Sequence, residues 1–134
     1  MKFASVRVVT RDIEGLVEFY QRFSGIEAAR PADGFAEMRF EGAVLAISSE
    51  HLITLFNVGA ATAAANQSAI LELEVADVDA VFERMNASGT HIVMPTTLMP
   101  WGNRSLLLRD PDGNLVNIFS RPGLKERAAV RSQA

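Results

Sequence analysis

The sequence contains no cysteine, which removes disulfides, thiolate metal sites and cysteine nucleophiles together. No uncharged apolar run reaches the roughly 18 residues that suggest a membrane helix, and charge sits among the first residues. Neither a membrane span nor a signal peptide is therefore expected, and a cytoplasmic location is the default. Basic clusters are missing too. With a net charge of −3 and no concentrated Lys/Arg face, nucleic acid is not an expected partner. There is no G-x-S-x-G elbow, no glycine-rich phosphate loop and no H-E-x-x-H pair. The two histidines, His51 and His91, read as surface or edge residues, with a helper role in ligand contact as the alternative.

What is present is enough apolar material for a real core: 49% of 134 residues are hydrophobic, which suits one soluble domain. The hydrophobic period switches between two and 3.6, twice in the same order. Phe3 to Val9 reads as a strand and Asp12 as a helix cap, and Ile13, Leu16, Val17, Tyr20 and Phe23 follow at helical spacing. Extended segments come next at Ile26 to Arg30, Phe35 to Phe40 and Ala43 to Ser48, with a "PADG" turn after the first.

The second half repeats the scheme. Ile70 to Val75 is a strand, Asp77 a cap, and Val78, Val81, Phe82 and Met85 a helix face. Strands follow at His91 to Met94, Arg104 to Arg109 and Leu115 to Phe119, the last after the turn Asp110-Pro111-Asp112-Gly113. Placing Asp12 on Asp77 also places Val6 on Leu71, Val8 on Leu73 and Thr10 on Val75. The expected fold class is α+β, with two βαβββ modules forming curved mixed sheets. Residues 1–122 are expected as a single domain, with module one at about 3–49, a linker at about 50–68 and module two at about 69–120. Residues 123–134 are a polar tail, read as a short helix or frayed end.

Two such modules, the step "VRVVTRDIEGLVEFY", its echo "LELEVADVDAVFERM" and the ending "PWGNRSLLLRDPDGNLVNIF" resemble the vicinal oxygen chelate superfamily. That superfamily includes glyoxalases, extradiol dioxygenases and bleomycin resistance proteins. The resemblance covers about residues 3 to 120. It implies a cleft enclosed by the two sheets, usually in a homodimer. In metal-dependent members, side chains from four strand positions converge on a divalent ion, and the resemblance puts these at Ser5, Ala46, Ile70 and Asn117. Ile70 stands where a second histidine is frequent, and Asn117 where a glutamate is usual.

A hydroxyl, a methyl, a butyl and a neutral amide do not replace imidazole or carboxylate around a transition metal. An amide oxygen joins a calcium shell only beside carboxylates. No metal and no cofactor are expected. If those positions face the cleft, strand alternation also brings in Arg7 beside Ser5, Glu72 beside Ile70, and Phe119 beside Asn117, with Glu37 and Arg39 as the charged set of the third strand.

Each of these has a plainer reading. Arg7 and Glu72 could form a structural ion pair instead of holding a ligand. Phe119 and Leu107 could belong to the core. Trp101, in the "MPWGN" loop, could stack on a flat or cationic ligand or cover the end of the sheets. Glu72 and Glu74 could do acid/base work or simply line a wet strand face.

Three functions remain open. The leading one is a metal-free small-molecule binding protein of the bleomycin-resistance-like type, a homodimer that sequesters or carries an organic ligand. The second is a lyase, isomerase or dioxygenase of the glyoxalase type, with a metal site rebuilt from displaced residues such as His51, Glu37 or Glu72. The third is a regulatory or interaction subunit with a degenerate cleft.

Overall fold

The structure is a computed structural model in which residues 1–121 are described. The tail expected at 123–134 lies outside the described residues. The fold is α+β, with a βαβββ order written twice and one additional helix between the repeats. By internal contacts the chain divides into two units. Among the described residues the first comprises 1–66 with the hairpin tip 111–113, and the second comprises 67–110 and 114–121.

The first unit begins with β1 (Val6–Thr10), helix α1 (Ile13–Ser24), β2 (Ala29–Ala32), β3 (Phe35–Phe40) and β4 (Ala43–Ser49). Asp12 starts the helix as expected, its carboxylate accepting from Gly15 N at 3.0 Å and so satisfying one of the helix's orphan donors. Leu16, Val17, Phe19, Tyr20 and Phe23 form its buried face. Phe19, Tyr20 and Phe23 meet edge to face, with centroids 5.0 to 5.9 Å apart. This face packs on β3 and β4, whose Ala36, Met38, Leu45 and Ile47 are buried. The strand order is β1-β4-β3-β2, with β1 parallel to β4 and the other pairs antiparallel.

Two boundaries differ from the sequence expectation. The segment expected as a strand from Ile26 is tied to α1 instead: Ile26 N donates to Ser24 Oγ at 3.1 Å and Ala28 N to Gln21 Oε1 at 2.9 Å. Its amides are therefore spent, and β2 starts at Ala29 and runs through Pro31, which is tolerable because β2 is an edge strand. The turn narrows to Asp33-Gly34. Gly34 has a φ of 72°, and a Cβ there would stand 2.9 Å from Ser49 Oγ, so glycine is required twice over.

The expected linker also opens with a helix, α2 (Glu50–Phe56). Ser49 ends β4 and caps α2 in one residue, its hydroxyl accepting from Leu52 N at 3.3 Å. Only Ile53 of this helix is buried, while Leu55 and Phe56 are exposed.

The second unit repeats the first with β5 (Ile70–Glu74), α3 (Val78–Ala87), β6 (Ile92–Leu98), β7 (Arg104–Arg109) and β8 (Leu115–Ser120), in the order β5-β8-β7-β6. Asp77 caps α3 by accepting from Ala80 N at 3.1 Å, and the buried Ser120 hydroxyl accepts from Val78 N at 2.8 Å. Val78, Val81 and Met85 are buried on the helix, and Leu106, Leu108, Val116 and Ile118 on the sheet. β6 runs well past the expected end at Met94. Pro95 would stop a central strand, but β6 is an edge strand and absorbs the proline in a stretch of irregular register. Buried Asp110 closes the β7–β8 turn by accepting from Asn114 N at 3.0 Å and Asn114 Nδ2 at 2.8 Å. Among the described residues no helix is long and apolar enough to cross a membrane.

Candidate functional site

Strand alternation and the observed registers sort each sheet into a helix-packed face and a second face. In the first sheet, Val6 pairs with Leu45 and Val8 with Ile47, which puts those rows on the helix side. The intervening rows carry the candidate residues. Arg7 pairs with Ala46, Ala46 with Glu37, and Glu37 with Ala29, so one row crosses the whole sheet. The neighbouring rows are Val9, Ser48 and Phe35 on one side, and Val44 with Arg39 on the other. Glu37 and Arg39 form an ion pair at 3.2 Å. Ser5 lies just before β1 and is exposed.

The second sheet reproduces this pattern. Glu72 pairs with Asn117, Asn117 with Leu107, and Leu107 with Met94. That row corresponds to Arg7, Ala46 and Glu37 in the first unit. Phe119 lies in the next row with Glu74 and Ser105, and Ile70 in the preceding row with Leu115 and Arg109. Ile70 is 52% exposed, whereas Asn117, Leu107 and Phe119 are half-buried.

The Asn117 amide is the most constrained group on this face. Its Nδ2 donates to Glu72 Oε2 at 2.9 Å. A carboxylate only accepts, so this bond fixes which end of the amide faces Glu72 and turns Oδ1 elsewhere. That oxygen is buried and has no hydrogen-bond partner among the described residues. An amide oxygen left so costs about 1–3 kcal/mol, and such a group is worth explaining. Glu72 is thus engaged within its own sheet, and neither it nor Arg7 takes part in an ion pair among the described residues. Glu74, by contrast, is paired with Arg121 at 3.2 Å.

Sequence reasoning passed over Ser48. Its Oγ is also buried and without a partner among the described residues, and it lies two residues beyond Ala46 on the same face of β4. Alternation from Ala46 was the signal that could have found it.

Trp101 sits on the turn between β6 and β7. Met99 N donates to Asn103 O at 2.7 Å and Gly102 N to Met99 O at 2.9 Å, so the turn is closed by its own backbone. Gly102 has a φ of 105°, which few other residues adopt. The indole is 70% exposed on this fixed mount.

A separate shallow depression of about 360 Å³ lies where β1 and β4 end and α2 begins, lined by Thr10, Arg11, Ser49, Glu50, His51 and Thr54. It places His51 beside Glu50. Glu50 accepts from Ala63 N at 2.8 Å and from Arg11 Nε at 3.2 Å, and these bonds hold its carboxyl below the usual range. His91 is exposed, just before β6.

The metal implied by the resemblance finds no suitable donor set. Ala46 and Ile70 have no side-chain donor atom, Ser5 offers a neutral hydroxyl, and one end of the Asn117 amide is committed to Glu72. Among the described residues, no three His, Asp or Glu side chains group closely enough to hold an ion.

The repeated modules and their equivalent strand rows define a glyoxalase-type fold. A family model for the glyoxalase/bleomycin resistance protein/dioxygenase superfamily matches residues 2–118, and the chain belongs to that superfamily. A solved glyoxalase/bleomycin resistance protein/dioxygenase from Nocardioides is 25% identical, with 92% of this chain and 88% of that one covered at a TM-score of 0.71. A family enzyme from Burkholderia phytofirmans PsJN is 18% identical, with coverage of 91% and 100% and a TM-score of 0.79. A glyoxalase-related enzyme from Fulvimarina pelagi is 23% identical, with coverage of 91% and 89% and a TM-score of 0.76. The last two speak for the fold alone. No curated protein matches the sequence.

Proposed function

We propose that the chain is a small-molecule binding protein of the bleomycin-resistance-like type, working without a metal and as a homodimer. The observation that carries this reading is the Asn117–Glu72 hydrogen bond, at the position where a metal-binding carboxylate is usual in the superfamily. A neutral amide held by a carboxylate is equipped to hydrogen-bond an organic ligand. The half-buried apolar neighbours Leu107 and Phe119 supply contact surface for the same ligand, and the exposed Trp101 indole offers a stacking wall. On this reading Ser5, Arg7, Glu37, Arg39, Ala46 and Ile70 contribute to ligand contact, not to metal coordination.

The superfamily also contains enzymes, and a rebuilt metal site would draw on His51, Glu37 or Glu72. Glu37 is paired with Arg39, Glu72 is bonded to Asn117, and His51 lies in the separate depression beside Glu50. This support favours the binding reading over the enzymatic one.

A thermal melting scan tests the proposal. Zinc, manganese, nickel and iron(II) should leave the melting temperature unchanged, while a library of organic molecules should contain compounds that raise it in a saturable way. Protein purified without an affinity tag should carry well under one transition metal per chain. A stoichiometric ion, removable only with loss of stability, would falsify the metal-free reading.

Light scattering at micromolar concentration should return the mass of two chains. A monomer mass would remove the dimer from the proposal and leave the binding reading standing.

A further inference from the structure

We infer that the second sheet recognises a cationic N–H donor, a protonated amine or amidine carried on an apolar body, with Glu72 as its charge partner and Asn117 as a neighbouring acceptor. The inference rests on the small-molecule reading above and names the ligand's chemistry. The carboxylate of Glu72 is a pure acceptor, and it has already captured one amide hydrogen of Asn117. What the pair still offers is mainly acceptor capacity: the remaining carboxylate lone pairs and Asn117 Oδ1, which has no partner among the described residues.

The surroundings sharpen the preference. Along β8 the neighbours of Asn117 on this face are Leu115 and Phe119, and across the sheet its other partner is Leu107. None of these side chains donates a hydrogen bond. Glu74, one row away, has its charge met by Arg121, whereas Glu72 has no cation among the described residues. Arg109 stands one row beyond on this face, paired with Leu115, and is already engaged in an interaction of its own, so a carboxylate or phosphate ligand at Asn117 would meet the charge of Glu72 with one neighbouring amide hydrogen in return. An ammonium group meets opposite charge and an acceptor together, while its apolar body can lie on Leu107 and Phe119. Because Oδ1 is buried, a donor reaches it only as neighbouring side chains give way. The bond to Glu72 therefore forms first and Asn117 completes the site.

Four probes with one phenyl body separate the contributions: phenethylamine, its trimethylammonium analogue, 2-phenylethanol and 3-phenylpropanoate. Binding to the intact chain is read by calorimetry and ligand-observed NMR at millimolar concentration. Phenethylamine should bind most tightly, the trimethylammonium compound more weakly because it carries charge without N–H, and the propanoate least. Glu72→Gln should weaken phenethylamine binding by about tenfold, the loss of one charge-assisted hydrogen bond. Asn117→Leu, which also frees Glu72 from its amide partner, should weaken phenethylamine by a larger factor than the trimethylammonium compound.

Glu72 is exposed, so Glu72→Gln keeps the test open if Asn117→Leu folds poorly. Equal binding of propanoate and amine, or amine binding indifferent to Glu72→Gln, overturns the cation inference while the protein remains a binder. If no probe binds but the library scan yields a ligand, the inference fails alone. If the library yields nothing either, both readings fall.

Discussion

Leu106→Ala is expected to destabilise the protein by about 2–5 kcal/mol, the range for deleting a large side chain from a packed core. Leu106 is completely buried at the centre of β7, pairs with Ile118, and lies on the face of the sheet that carries the α3 contacts. The loss combines transfer of the removed methyl groups with the cavity left behind, and a helix and sheet held by their backbones collapse only partly around it. Leu107, the next residue, pairs with Asn117 on the opposite face and is half-buried, so Leu107→Ala should cost less than half as much. Urea unfolding of both variants, read as midpoint shifts at unchanged slope, makes the comparison. Similar losses at 106 and 107 would show that the assignment of faces is wrong, and the candidate site with it.

Asn117→Glu introduces the residue type that the resemblance implies at this position, and it is expected to lower stability by about 1–3 kcal/mol. The change removes the donor that serves Glu72 and sets a second carboxylate directly across from it, where like charges repel. It should not create a metal site, since Ala46 and Ile70 still bring no donor atom. Combining Asn117→Glu with Glu72→Gln should recover most of the loss, because the glutamine amide can donate to the new carboxylate. A double-mutant cycle by urea unfolding gives this coupling directly. A variant as stable as the parent, or one that takes up zinc stoichiometrically, would contradict this account of the Asn117–Glu72 pair.

The same two residues show how far local reading reaches. That Glu72 occupies in its module the place of Arg7 in the first follows from Asp12 matching Asp77 and from alternation along each strand, and the observed pairings of Arg7 with Ala46 and Glu72 with Asn117 agree. That the side chains of Glu72 and Asn117 bond to each other does not follow, because they stand 45 residues apart and meet only through the parallel β5–β8 pairing. The ion pair weighed for Arg7 and Glu72 drew on charge and equivalence, while the bond from Asn117 to Glu72 arises within one sheet.

By itself the sequence determined the βαβββ repeat, the two Asp-capped helices and most of their buried faces. Those features depend on capping chemistry and hydrophobic period, which act over a few residues and can be read in order. Tertiary structure alone decided what depends on sheet order. Pro31 and Pro95 lie within strands because β2 and β6 are edges whose amides need no partner on one side. Among the described residues Ser48 Oγ and Asn117 Oδ1 have no hydrogen-bond partner, because the strand that a distant segment lays beside each, β1 or β5, and its hairpin neighbour, β3 or β7, together present Val9, Phe35, Glu72 and Leu107. A side chain's hydrogen-bond partners are set by its spatial neighbours, and in a sheet ordered β1-β4-β3-β2 one neighbour of β4 is β1, which the chain places far away.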